Sequence, residues 1–309
     1  MAYEARVLAD SVTERGDRLT TLEVIFPRFV LAEFNTHRML SRNTASSRAI
    51  PVEKQLAKVL NDPFVPEYWG ANKAGMQATE QLSDAERYNA EQRWLESRDY
   101  AVLGATALIG GSGKLKDESL AERIKVINDA YGYDLENKSL RTPVHKQTAN
   151  RMLEPYMWHT ALVTATDWSN FMALRAHEFA QPEIRTTAYM MRDVMSSSKP
   201  TPTRPGEFHL PLVREEDLEL PIDMLIKVAI GRCARVSYMT HDGRRDPEKD
   251  VQLYDQLLND GHMSPMEHVA TPMNDEQFAA GPYLGNFRGW VQHRKTIPHE
   301  SNFAEIQSD

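Results

Sequence analysis

Apolar and polar positions along this chain fall into blocks with distinct periods. In T-T-L-E-V-I-F, Leu22, Val24 and Phe26 alternate, which predicts a strand over residues 20–26. Pro27 limits pairing beyond that point. A mixed apolar stretch leads into the polar run Asn35 to Arg48. Leu56, Val59 and Leu60 share one face of a short helix over 52–62. Residues 63–82, with their Pro, Gly, Trp and Asn, read as a long ordered loop. A helix is expected over 83–109, because Ser83 can cap it and Glu86 completes a capping box. Gly110, Gly111 and Gly113 end it. Residues 117–129 and 145–181 repeat the helical pattern, and Pro182 either kinks the second or opens a new helix at its first turn. S-S-K-P-T-P-T-R-P-G-E, residues 197–207, is the clearest linker. Two more helices are expected, near 221–233 and from Asp246-Pro247 to Gly261. No short-period repeat or low-complexity tract occurs.

Composition narrows the function classes. A chain of 309 residues with 41% hydrophobic and 26% charged residues is ordinary for a globular protein with a sizeable core. A net charge of -8 argues against a nucleic-acid polymer as partner, but a local arginine cluster can still hold one phosphate. The single cysteine, Cys233, allows neither an intrachain disulfide nor a Cys-based zinc site, and fits a reducing compartment. The N-terminus is too polar for a signal peptide, and no apolar run approaches a membrane span. A cytoplasmic protein with no membrane partner is the expectation.

Candidate chemistry gathers in three places. Thr36 to Arg48 packs His37, Arg38, Arg42 and Arg48 among Ser41, Ser46 and Ser47. Hydroxyls beside guanidinium groups suit a phosphate, and equally a solvated polar face. Residues 261–268, G-H-M-S-P-M-E-H, read as a helix start in which Ser264, Pro265 and Glu267 supply cap, first-turn proline and capping partner. The spacing of His262 and His268 does not put both on one helical face, so no metal is expected. Residues 151–185 carry Arg151, Asn170, Arg175, Gln181 and Arg185 within a core-like pattern. Such arginines either snorkel or anchor an anion. G-G-S-G-K imitates a phosphate loop but fails as one, with leucine at both 108 and 115.

These segments together resemble the flavin-dependent thymidylate synthases, often called ThyX. That family carries Q-x-x-R-H-R-x-x-S-x-N-E-x-S-x-R. Here E-F-N-T-H-R-M-L-S-R-N-T-A-S-S-R matches it at His37, Arg38, Ser41, Asn43, Ser46 and Arg48. The family's long helix, N-F-x-x-L-R and then A-Q-x-E-I, corresponds to NFMALR and AQPEI, and Arg151 to Pro155 fits its Arg-x-x-x-Pro. Its opening motifs, A-R-V-S-Y and G-H-x-S-P-x-E-H, occur as Ala234 to Tyr238 and Gly261 to His268. They come last here, as if the chain were permuted. A second triplet-like segment, Phe287 to Glu300, then follows, with Gln292, His293 and Arg294 in the triplet. The departures are Thr36 and Gln292 for the first triplet Arg, Glu33 for the family Gln, Thr44 for its Glu in the first copy, and Phe179 for a helix His.

The resemblance implies an α+β fold with a mixed sheet and long helices, its motif order rearranged. It implies a segment 1–196 holding the first triplet, and a segment 197–309 packed onto it. The implied reaction is methylation of dUMP to dTMP with FAD, methylenetetrahydrofolate and NADPH. The alternatives are 5-methylation or 5-hydroxymethylation of another pyrimidine deoxynucleotide such as dCMP, and a nucleotide-binding protein without catalysis. Glu33, Ser46, Ser47, Arg48, Arg151 and Arg175 would bind the nucleotide. His37, Arg38, Asn43, Asn170, Ser237, Ser264, Gln292, His293, Arg294 and Glu300 would contact the flavin. Arg175, Ser46, His262 and Glu267 would be catalytic. The family is homotetrameric with sites at subunit interfaces, so a homo-oligomer is expected.

Overall fold

The strand expected over 20–26 forms the spine of the molecule. In the computed structural model, residues 3–48, 50–75, 78, 80–135, 137, 139, 143–238, 246–298 and 300–301 are described, Ser237 and Tyr238 by their backbone alone. Strand β1 (Glu4–Val12) pairs antiparallel with β2 (Arg18–Pro27). Helix α1 (Leu31–Asn35) then leads to β3 (Ser41–Thr44). Helices α2 (Val52–Asn61), α3 (Asp84–Leu108), α4 (Glu118–Tyr131) and α5 (Lys146–Ala149) precede β4 (Trp158–Ala165). Helices α6 (Ser169–Arg175) and α7 (Pro182–Ser197) lead to β5 (Thr201–Pro202). Helices α8 (Ile222–Tyr238) and α9 (Pro247–Asn259) come next, then β6 (Ala270–Pro272), α10 (Asp275–Ala280), β7 (Tyr283–Leu284), β8 (Phe287–Arg288) and β9 (Trp290–Gln292).

The main sheet has the order β3-β4-β2-β1-β5, with only the β1–β5 pair parallel. The mixed α+β class is therefore observed. Strand alternation decides what each face meets. Leu22, Val24, Phe26, Ala161 and Val163 pack with Phe34, Phe171, Ile184, Ala188 and Met191 of α1, α6 and α7. Thr21 and Thr164, on the other face, meet His209 and His268 of the C-terminal segment. A separate core joins α2, α3, α4 and residues 150–157, and a third joins α8, α9 and residues 263–269.

Several expectations change. Residues 145–181 are not one helical block: α5, a 3-10 turn over Asn150–Tyr156, β4 and α6 divide it. W-H-T-A-L-V-T-A is buried on both faces, so it lacks alternation and imitates a buried helix. Pro182 opens α7 at its first turn, so NFMALR and AQPEI lie on two helices. Within the expected linker 197–207, Thr201 and Pro202 form an edge strand. Ser83 and Glu86 do form their capping box. Ser264 does not cap: it is the first residue of a 3-10 turn, and Glu267 pairs with Arg294 instead.

Candidate functional site

The short strand β3 distributes the first motif between the two faces of the sheet. Ser41 and Asn43 point toward the C-terminal segment. Asn43 donates from Nδ2 to the Cys233 carbonyl at 2.7 Å and accepts from Ser264 Oγ at 3.4 Å. The Gln292 amide donates to Ser41 Oγ at 3.2 Å and to Asn286 Oδ1 at 2.7 Å. Arg42 turns the other way and donates to the carbonyls of Phe34 and His37. The two triplet-like segments are thus tied together by side chains far apart in sequence.

Beyond β3 the backbone is held by buried Asn150, which donates to the carbonyls of Ser47 and Ile50 at 2.6 and 2.9 Å. Ser47 is buried and donates to Glu154 at 2.7 Å, while its neighbours Ser46 and Arg48 line an open cleft. That cleft, of about 500 Å³, is also lined by Asn43, Lys146, Gln147, His262 and Ser264. It joins parts of both motif regions. With Arg48 and Lys146 beside a serine hydroxyl, it can hold an anion through charge-assisted hydrogen bonds. Lys146 and Gln147 carry no motif signal in the sequence, and only the fold brings them here.

A second group forms where α1 meets α6. Arg175 Nε donates to His37 Nε2 at 2.9 Å, and the His37 ring meets Phe171 edge-on at 5.0 Å. Burial, then the Arg175 guanidinium, holds the His37 pKa below the usual range, against a hydrogen bond to Asn170 that raises it. His37 is thus poised as a neutral acceptor. Arg38 beside it is exposed.

A third group surrounds Arg294, which donates to Glu267 at 2.6 Å and Glu300 at 2.7 Å, while Lys295 also pairs with Glu300. His293 Nε2 lies 3.0 Å from the Tyr254 hydroxyl. Arg151, expected with the phosphate set, instead pairs with Glu154 at 2.9 Å, as does Arg28. Glu33 lies on α1, and neither it nor Arg175 lines the cleft. The expected nucleotide set is therefore divided: Ser46 and Arg48 in the cleft, Ser47 and Arg151 on Glu154, Arg175 on His37. The side chain of Ser237 lies outside the described residues.

Cys233 is fully buried, and burial pushes its thiol pKa well up, so no thiolate is on hand for a covalent mechanism. Just before it, Arg232 donates to Asp217 and Asp250 with all three side chains buried. The sequence pattern did not single out this network.

A comparison with curated protein sequences finds no match. Among solved structures, a UMP/dUMP methylase, PolB from Streptomyces cacaoi bound with 5-Br dUMP, is 14% identical with a TM-score of 0.41, covering 63% of this chain and 90% of that one. Thymidylate Synthase X from Helicobacter pylori with FAD and dUMP is 15% identical with a TM-score of 0.31, covering 57% of this chain and 67% of that one. The family model described as thymidylate synthase complementing protein matches residues 18–201, which include β2, the first triplet-like motif, Arg151 and α6–α7. The chain therefore belongs to that family, the flavin-dependent thymidylate synthases, and is a methyltransferase of that type.

Proposed function

We propose that the chain methylates carbon 5 of dUMP to give dTMP, with FAD, with methylenetetrahydrofolate as carbon donor and with NADPH as reductant. The observation that carries this reading is the cleft, where Asn43, Ser46 and Arg48 of one motif line the same walls as His262 and Ser264 of another. Its donor chemistry fits a nucleotide phosphate: a guanidinium that binds bidentately, an ammonium and a hydroxyl. The group around His37, Arg38 and Asn170 fits a flavin, because imidazole, amide and guanidinium suit carbonyl edges and phosphates.

When bound, reduced flavin supplies the hydride. The chain's own residues bind and polarise. Arg48 and Ser46 hold the phosphate equally in ground and transition states. Arg175 is proposed to face the pyrimidine, where a cation would offset negative charge that develops on the ring as carbon 5 is made nucleophilic. Its guanidinium is oriented by His37. Glu267, held by Arg294, fixes the segment that carries His262 and Ser264. Arg175 is not among the residues that line the cleft of Arg48, and the reading includes a homo-oligomer in which neighbouring protomers complete the site.

Protein reconstituted with FAD is desalted and incubated with methylenetetrahydrofolate, NADPH and either dUMP or dCMP, and products are identified by mass spectrometry. The expected result is retained flavin and dUMP gaining one methyl group. A protein that retains no flavin, or that acts on dCMP and not on dUMP, overturns this reading.

A further inference from the structure

The short helix α5 and the 3-10 turn that continues it give neighbouring residues different partners. Asn150 lies one turn after Lys146 on the same face, and its amide holds the carbonyls of Ser47 and Ile50 at 2.6 and 2.9 Å. That anchorage sets Lys146 against the Ser46–Arg48 segment, and Lys146 lines the cleft together with Ser46 and Arg48. From Asn150 onward the chain is a 3-10 turn, in which side chains three apart eclipse. Arg151 is thereby placed over Glu154, and the two pair at 2.9 Å.

Glu154 gathers donors from three segments. Ser47 Oγ, Arg28 Nη2 and Arg151 Nη1 all reach its Oε1, at 2.7, 2.9 and 2.9 Å. The arginine of the Arg-x-x-x-Pro motif is therefore held on a carboxylate, and it is not among the residues that line the cleft. Among the described residues that do, the Arg and Lys side chains are Arg48 and Lys146, and no Asp or Glu joins them. A phosphate monoester carries about -1.5 to -2 charges at neutral pH. One guanidinium leaves such a group short of positive charge, and an ammonium beside it supplies the rest as a point charge.

We infer that Lys146, and not Arg151, is the second cation on the nucleotide's phosphate, and that the Arg48–Lys146 pair makes the cleft select a nucleoside monophosphate over its nucleoside. The inference rests on the proposed reading of the cleft as the nucleotide site. It moves a binding role from a motif residue to one five positions earlier that lies outside every motif. Arg151 acts instead with Arg28 and Ser47 on Glu154, which ties the turn over Asn150–Tyr156 to the chain beyond β3.

The full chain, in the presence of FAD and without methylenetetrahydrofolate or NADPH, is titrated with dUMP and with deoxyuridine by calorimetry. Lys146→Met is expected to weaken dUMP binding by roughly 10-fold or more and deoxyuridine binding by less than about 2-fold. Lys146→Arg, which keeps the charge, should recover most of the dUMP affinity, and Lys146→Gln serves as a second neutral variant. A purely structural role for Lys146 would weaken both ligands alike. Arg151→Met, in which Glu154 keeps Ser47 and Arg28, should change dUMP affinity by less than about 3-fold. Circular dichroism checks that each variant is folded. The inference is overturned if wild type prefers dUMP and Lys146→Met keeps that preference, if Lys146→Met loses both ligands equally, or if Arg151→Met is the variant that loses the preference. Any of these leaves the proposed reaction standing. A wild-type protein that binds dUMP no better than deoxyuridine overturns the reading of the cleft itself, and the inference with it.

Discussion

Lowering the pH should destabilise this protein well before its carboxylates titrate. Three histidines, His159, His209 and His268, are almost fully buried, and burial is the largest cause that brings each pKa to about 3. Two of them close a buried hydrogen-bonded chain: Ser11 Oγ to His209 Nδ1 at 2.8 Å, His209 Nε2 to Thr21 at 2.8 Å, Thr21 to Thr164 at 2.7 Å, and Thr164 to His268 Nδ1 at 2.7 Å. This chain runs through the sheet to the turn next to the cleft, so protonation strains fold and site together.

A histidine whose folded pKa is depressed binds fewer protons folded than unfolded. Its contribution is complete above the unfolded value near 6.5 and is lost as pH falls toward 3. Between about pH 7.5 and about pH 5, each such group costs ~2 kcal/mol, and three cost ~6 kcal/mol. That is comparable with the whole stability of a typical protein, about 5–15 kcal/mol. Asp10 and Asp217, whose pKa values are lowered by Arg18 and Arg232 against the effect of burial, lose their contributions only below the usual carboxylate range. The histidine window is therefore separable. Urea unfolding at the two pH values measures the loss, and His268→Gln should reduce it by about one third. A total loss under ~2 kcal/mol, or an unchanged loss in His268→Gln, refutes the reasoning.

Arg48→Ala should raise KM for the nucleotide by roughly 10- to 150-fold with kcat little changed, and Arg48→Lys should recover part of it; steady-state kinetics decide. Arg175→Ala should lower kcat as well, because the charge it opposes grows only in the transition state, and a change confined to KM contradicts that role. Cys233→Ala should keep turnover within ~10-fold, whereas a loss above ~100-fold with the fold intact points to a thiol mechanism. Arg232→Leu removes the buried guanidinium paired with Asp217 and should cost about 3–5 kcal/mol in urea unfolding, with Asp250 still held by Arg235.

Local signals made much of this protein legible from its residues alone. The β2 alternation, the Ser83–Glu86 capping box, Pro182 at a helix start and Asp246-Pro247 opening α9 all involve neighbours within a turn or two, and each forms. The motif spacing from His37 to Arg48 carried the family, because a site that must present several donors at set distances leaves a pattern in one short segment. Strand β4 was hidden for the opposite reason: a strand buried on both faces loses its period, and only pairing with β2 and β3 reveals it. The tertiary structure alone decided which motif residues meet. Beyond the end of β3 the chain turns Ser46 and Arg48 to the cleft and Ser47 to Glu154, while strand parity within β3 sends Arg42 and Asn43 to opposite faces. The partners that settle two of the roles, His37 for Arg175 and Glu267 for Arg294, lie 138 and 27 residues away. Long-range pairings of this kind leave no local period, since they depend on how the sheet and helices pack rather than on the neighbours along the chain.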